Sequence, residues 1–182
     1  MDSAFIHQVA NELVQNVGTR NIKQIARSCS LDITETHRIT DTLGLLSLYF
    51  EKPLVLINRQ LNKQIKQMVC GYALGHYLEH QLLMDLHTLN KFLTIKDKHI
   101  HLYEHNAFTS HLMLDSDEVY QMTKRGLDAA QISATKRIHL NLVLVKLLEL
   151  HHLGYDLRHY HEQHHAFIEH FKLPRYFRFD AA

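Results

Sequence analysis

Two histidines four residues apart on a helix share one face. With a glutamate beside the first, they can hold Zn²⁺ and deprotonate a water bound to it. The chain carries that His-Glu-x-x-His pattern once in full, at His161-Glu162-Gln163-His164-His165. A second stretch, Gln67–His80 (QMVCGYALGHYLEH), has the apolar surroundings such a helix needs but only part of its chemistry. There His76 takes the place of the second histidine, Tyr72 that of the first, and Ala73 that of the glutamate.

The intact copy stands in the poorer setting. A buried zinc helix fills the two middle positions of its motif with apolar residues, and here they are Gln163 and His164. Glu169 lies on the same predicted helix and is badly placed to complete a tetrahedral site. His161 and His165 therefore read as an adventitious metal clip on a surface helix rather than a catalytic centre.

The elements that would position these groups follow from periodicity. Ser3–Val17 has Phe5, Ile6, Val9, Ala10, Leu13 and Val17 at helical spacing. Asn21 can cap a second, short helix. Leu45–Phe50 and Leu54–Asn58 flank Glu51-Lys52-Pro53 and predict a hairpin. Gln60–His80 predicts a long helix, a polar stretch follows, and Ile100–Tyr103 offers a third strand. Helices are predicted over Glu104–Leu114, Ser116–Lys124, Ala129–Ala134, Ile138–His152 and Leu157–Phe171. Ile138–His152 is apolar on nearly every face, so it is expected either as a central core helix or as a seam for a second subunit.

Helix, strand, strand and helix in this order, written LGLLSLYFEKPLVLINRQLNKQIKQMVCGYALGHYLEH, resemble the centre of the ImmA/IrrE family of metallopeptidases. The matching letters are Leu56-Ile57-Asn58, Leu61, Leu74-Gly75-His76-Tyr77-Leu78 and His80. Downstream, YEHNAFTSHLML is similar to the family helix that gives the third metal ligand, with Glu104, Asn106, Phe108 and Leu112 in register. The N-terminal NIKQIARSCSLDI resembles the family's helix before its first strand. The resemblance covers roughly residues 3–155 and implies a zincin-like fold with His76 and Glu104 as vestigial metal ligands. It also implies a role in prophage or mobile-element regulation, where active relatives cleave or disable helix-turn-helix repressors.

The departures from that pattern set the functional expectation. A phenol with a pKa of about 10 is a poor zinc ligand at neutral pH. Two remaining ligands are fewer than the three of a catalytic zinc site. Without a glutamate at position 73, the rate would lose on the order of 10²–10⁴ for want of a general base. The expected protein is thus a catalytically inactive, pseudo-metallopeptidase regulator that binds a repressor or host protein, with Tyr72, Leu56 and Asn58 as contact residues. Two alternatives stay open. One is an active zinc peptidase with relocated ligands His76, His80 and Glu104, joined by His105. The other is a helical interaction or assembly module. No cofactor is expected under the first reading, and zinc belongs to the second.

Composition agrees with a single domain. A 182-residue chain with 46% hydrophobic residues can bury a core without metals or disulfides. Six glycines, two prolines and no tryptophan leave little turn chemistry and favour long helices. A formal charge of +1 gives no electrostatic case for binding nucleic acid directly or a membrane surface. Cys29 and Cys70 make no disulfide framework, and with no secretory-signal pattern the chain is expected in the cytoplasm. The predicted architecture is α+β, a mostly helical single domain with a small antiparallel sheet beside a zincin-like helix pair. Residues 1–125 form the zincin-like region and 126–182 a His-rich helical extension packed on it, and a homodimer is left open.

Overall fold

A computed structural model describes residues 2–82, 91–93 and 101–157. It is mostly helical with one small sheet, the predicted α+β architecture. Helix α1 (Ser3–Val17) begins where the Asp2 carboxylate accepts from the Ala4 N–H, and ends at Gly18 with φ 73°. That left-handed stop favours glycine because any Cβ there is strained. Asn21 caps α2 (Ile22–Ser28) as expected, accepting from the amides of Lys23 and Gln24. Ile22, Ile25, Ala26 and Leu31 are buried, so this segment serves the core.

The predicted hairpin is β2 (Gly44–Tyr49) and β3 (Lys52–Asn58), antiparallel, with Leu46 opposite Val55. Both residues are fully buried, as alternation requires for a sheet with one face on the core. Strand β1 (Asp32–Thr36) was not foreseen from the sequence; it runs parallel to β3 and makes the sheet mixed. Its letters, DITET, are polar because β1 is an edge, with only Ile33 turned towards the core among its apolar residues. A short β4 (Lys91–Leu93) pairs with β2, giving the order β1-β3-β2-β4. Of the stretch Ile100–Tyr103, expected as a strand, His101–Tyr103 open a helix, and Ile100 lies outside the described residues.

Helix α3 (Lys63–Leu82) and helix α4 (His101–Met113) cross at the centre of the molecule. Glycine makes the crossing close. A Cβ on Gly71 would stand 2.2 Å from Thr109 Cγ2, and one on Gly75 would stand 3.1 Å from Phe108 and 3.3 Å from the His105 ring. Gly71 and Gly75, one turn apart, therefore form a groove along α3 that receives α4.

The remaining helices are α5 (Ser116–Lys124), α6 (Ala129–Lys136) and α7 (Leu140–His152). Asp115 caps α5, and Asp128 with Gln131 forms a reciprocal capping box on α6. Helix α7 packs on α4, α5 and α6 with Leu142, Val143, Leu147 and Leu150 buried, which is the core-helix expectation. Residues 126–157 thus share the core of the first 125. The predicted helix Leu157–Phe171 lies outside the described residues beyond its first residue. Among the described residues no helix is long and apolar enough to cross a membrane.

Candidate functional site

At the α3–α4 crossing, Tyr72 and His76 project from successive turns of α3, and His105 enters from α4. The Tyr72 and His105 rings meet edge to face with centroids 5.1 Å apart, and the His76 and His105 rings lie 5.2 Å apart. Glu79, three residues after His76 on the same face, brings its Oε2 to 3.0 Å from His105 Nε2 and 3.6 Å from His76 Nδ1. The three side chains are well covered, at 12%, 19% and 2% exposure for His76, Glu79 and His105. Their ligand atoms all lie within 4.8 Å of one another.

The expected trio was Tyr72, His76 and Glu104. The structure brings Tyr72 and His76 to the crossing, but residue 105, not 104, faces them. One residue turns a helix by about 100°, so two neighbouring ligand types, Glu104 and His105, cannot both point the same way. Glu104 instead helps line a cavity of about 60 Å³ together with Glu79, His105, Ile6, Val9, Leu78 and Phe108. The groups present do not fit the zinc site the resemblance implies: position 72 offers a phenol, and Glu104 is not among the converging groups. Ala73, at the position where the resemblance implies a general base, is fully buried in the core.

Other expected site residues have other jobs. Asn58 is 4% exposed; its amide donates to the carbonyls of Thr40 and Thr42 while its oxygen accepts from the Gln60 amide. It fixes the exit of β3 and is no contact residue. Tyr72, 8% exposed, is an interior side chain too, and Leu56 is only partly covered. In the sheet β2 and β3 are the two central strands, β3 flanked by β1 along Leu54–Asn58 and β2 by β4 over Gly44–Leu46. His80 continues α3 with its side chain outside the described residues, and His161 and His165 lie outside them altogether.

A second polar cluster, missed in the sequence, sits inside the helical layer. Lys146 Nζ, fully buried on α7, donates to His111 Nδ1 (2.7 Å) and to Ser116 Oγ (2.8 Å). An accepting Nδ1 leaves the proton on His111 Nε2, which donates to Glu149 Oε2 at 3.2 Å. Glu149 also accepts from Tyr103 and from Ser3. Ser116 Oγ and the Asn11 amide both meet His7 Nε2, at 3.1 and 2.8 Å. Four helices, α1, α4, α5 and α7, are tied by this network.

Burial sets its protonation. It lowers the Lys146 amine to about 7 and the His111 imidazole to about 4, and lowers His7 as well. Glu149 falls to about 2: burial opposes this, but hydrogen bonds from His111 and Tyr103 outweigh it. The network holds one carboxylate and one amine joined through a neutral imidazole. Its hydrogen bonds join one helix to another, so it acts as a structural tie. Lys146 and Glu149 give no sequence signal of their own because six leucines and two valines surround them in an apparently apolar helix.

No family model matches the chain, and no curated protein matches it. The resemblance to the ImmA/IrrE group therefore rests on the residues named above.

Proposed function

We propose that this chain is a catalytically silent relative of the ImmA/IrrE metallopeptidases that acts in repressor control by binding another protein without cutting it. The observation that carries this reading is Ala73. It occupies the general-base position of the helix motif with no exposed surface, beside a buried Tyr72 where a histidine would hold metal. A carboxylate could not be supplied to that spot without opening the core.

The contact surface is best sought at the β2–β3 hairpin tip. Tyr49 and Phe50 are 63% and 83% exposed and pack edge to face at 4.7 Å. Phe50 and Glu51 both take left-handed backbone, φ 48° and 62°. A two-residue turn of that type is ordinarily made by Asn-Gly, and each side chain there costs roughly 1–2 kcal/mol. A strained turn that displays a large aromatic ring to water is a sensible place for a protein contact, since aromatics dominate the energetics of interfaces.

The test pairs the purified chain with a helix-turn-helix repressor encoded beside its gene. Size-exclusion chromatography should show a complex, and mass spectrometry after prolonged incubation with Zn²⁺ should show the repressor intact. Phe50→Asp should weaken the complex at least tenfold while leaving circular dichroism unchanged. Cleavage of the repressor would overturn the reading.

A further inference from the structure

We propose that His76 Nδ1, Glu79 and His105 Nε2 form a site for one divalent transition-metal ion, distinct in its ligands from the zinc site implied by the resemblance and independent of the binding role proposed above. Two imidazoles and one carboxylate are the donor set of catalytic-type zinc sites and of two-histidine, one-carboxylate iron sites, while Mg²⁺ and Ca²⁺ prefer oxygen alone.

The geometry is close to what such an ion needs. Ligand atoms held about 2.0–2.1 Å from a tetrahedral Zn²⁺ lie roughly 3.3–3.4 Å from one another. Glu79 Oε2 stands 3.0 Å from His105 Nε2 and 3.6 Å from His76 Nδ1, values that bracket this edge. The third edge, between the His76 and His105 nitrogens, lies within 4.8 Å, so closing the set on an ion asks at most about 1.5 Å of the two imidazoles.

The backbone holds the three in place. His76 and Glu79 share a face of α3 at i and i+3, a spacing used for metal in helical bundles. The absence of a Cβ at Gly75 lets the His105 ring approach, 3.3 Å from where that Cβ would stand. Glu79 and His105 also help line the adjoining cavity, whose volume of about 60 Å³ accommodates water as a further ligand. The low exposure of all three side chains keeps competing solvent ligands few.

The test uses the full chain carrying His161→Ala and His165→Ala, so that the adventitious clip does not mask the site. After stripping with chelator, it should take up one equivalent of Zn²⁺ in a competition titration, and one equivalent of Co²⁺ should give the intense visible absorption of a tetrahedral site. Glu79→Gln and His105→Asn should each weaken Zn²⁺ by more than the roughly 10–100-fold expected of a residue that only orients a ligand. Glu104→Gln should change it less than threefold. Circular dichroism on each variant separates lost binding from lost fold, and the Co²⁺ spectrum of the His161→Ala, His165→Ala chain needs no substitution in the cluster. Failure to bind one equivalent overturns the proposal. So does a Glu104→Gln loss as large as that of Glu79→Gln with His105→Asn unaffected, which would restore the site implied by the resemblance.

Discussion

Gly75 on α3 lies directly beneath His105 on α4: a Cβ at position 75 would reach the imidazole Cδ2 at 3.3 Å and the His105 Cβ at 3.5 Å. One turn earlier, a Cβ at Gly71 would overlap Thr109 Cγ2 at 2.2 Å. The two glycines thus differ in what a methyl would cost. Gly71→Ala forces α4 away from α3 and should destabilise the fold by about 1–3 kcal/mol, the usual cost of overpacking. At Gly75 the crowding is mild and is offset by the roughly 1 kcal/mol gained when Ala replaces Gly in a helix. Urea unfolding should therefore rank Gly71→Ala well below Gly75→Ala, with Thr109→Ala restoring most of the loss in the first.

Acid should unfold this protein in two stages. His111 is lowered from 6.5 to about 4, chiefly by burial, and His7 is lowered too. The unfolded chain then binds more protons between those values, so the stability these groups contribute is complete above pH 6.5 and is lost as pH falls towards 4. Glu149, lowered to about 2, adds a second loss below pH 4.5. The His111 part alone is on the order of 3 kcal/mol. Denaturation midpoints measured from pH 7 to 4 should fall steeply, and His111→Gln should flatten the upper part of that profile.

Removing one member of the buried Lys146–His111–Glu149 chain leaves a charge or donor without its partner. Glu149→Gln puts an amide where the carboxylate accepts from His111, Tyr103 and Ser3, leaving buried donors without their full acceptor, and should cost about 1–3 kcal/mol at neutral pH. A double variant, Lys146→Met with Glu149→Gln, should cost less than the sum of the single changes, and equilibrium unfolding of the four proteins measures that coupling.

Ala73 offers a separate check on the silent-enzyme reading. It has no exposed surface, so Ala73→Glu buries a carboxylate against apolar neighbours. The change should lower stability by several kcal/mol and raise the pKa of the new carboxyl, as burial does. A thermal shift at pH 5 smaller than at pH 8 would show that the carboxyl is tolerated only when protonated.

Much of the fold was legible because its signals are local. Asn21, Asp115 and Asp128 mark helix starts, and two short apolar runs holding Leu46 and Val55 on either side of Glu51-Lys52-Pro53 mark a hairpin. What escaped notice depends on long-range packing. The polar DITET strand is recognisable only once β3 is beside it. His101–Tyr103, part of the expected strand, joins a helix that packs on α3 and α7. At the site, His76 carried a spacing signal and Glu79 sat at i+3 to it. The choice between Glu104 and His105 is a matter of helix phase, which Gly71 and Gly75 fix by letting α4 settle into α3.

The metal site proposed at the α3–α4 crossing places one ion on His76, Glu79 and His105. A crystal of the full chain loaded with Zn²⁺, with anomalous scattering recorded at the zinc edge, tests it most directly. One peak should fall within about 2.0–2.2 Å of His76 Nδ1, a Glu79 carboxylate oxygen and His105 Nε2. A peak liganded by Glu104 in place of Glu79 and His105, or zinc found only on His161 and His165, would contradict it.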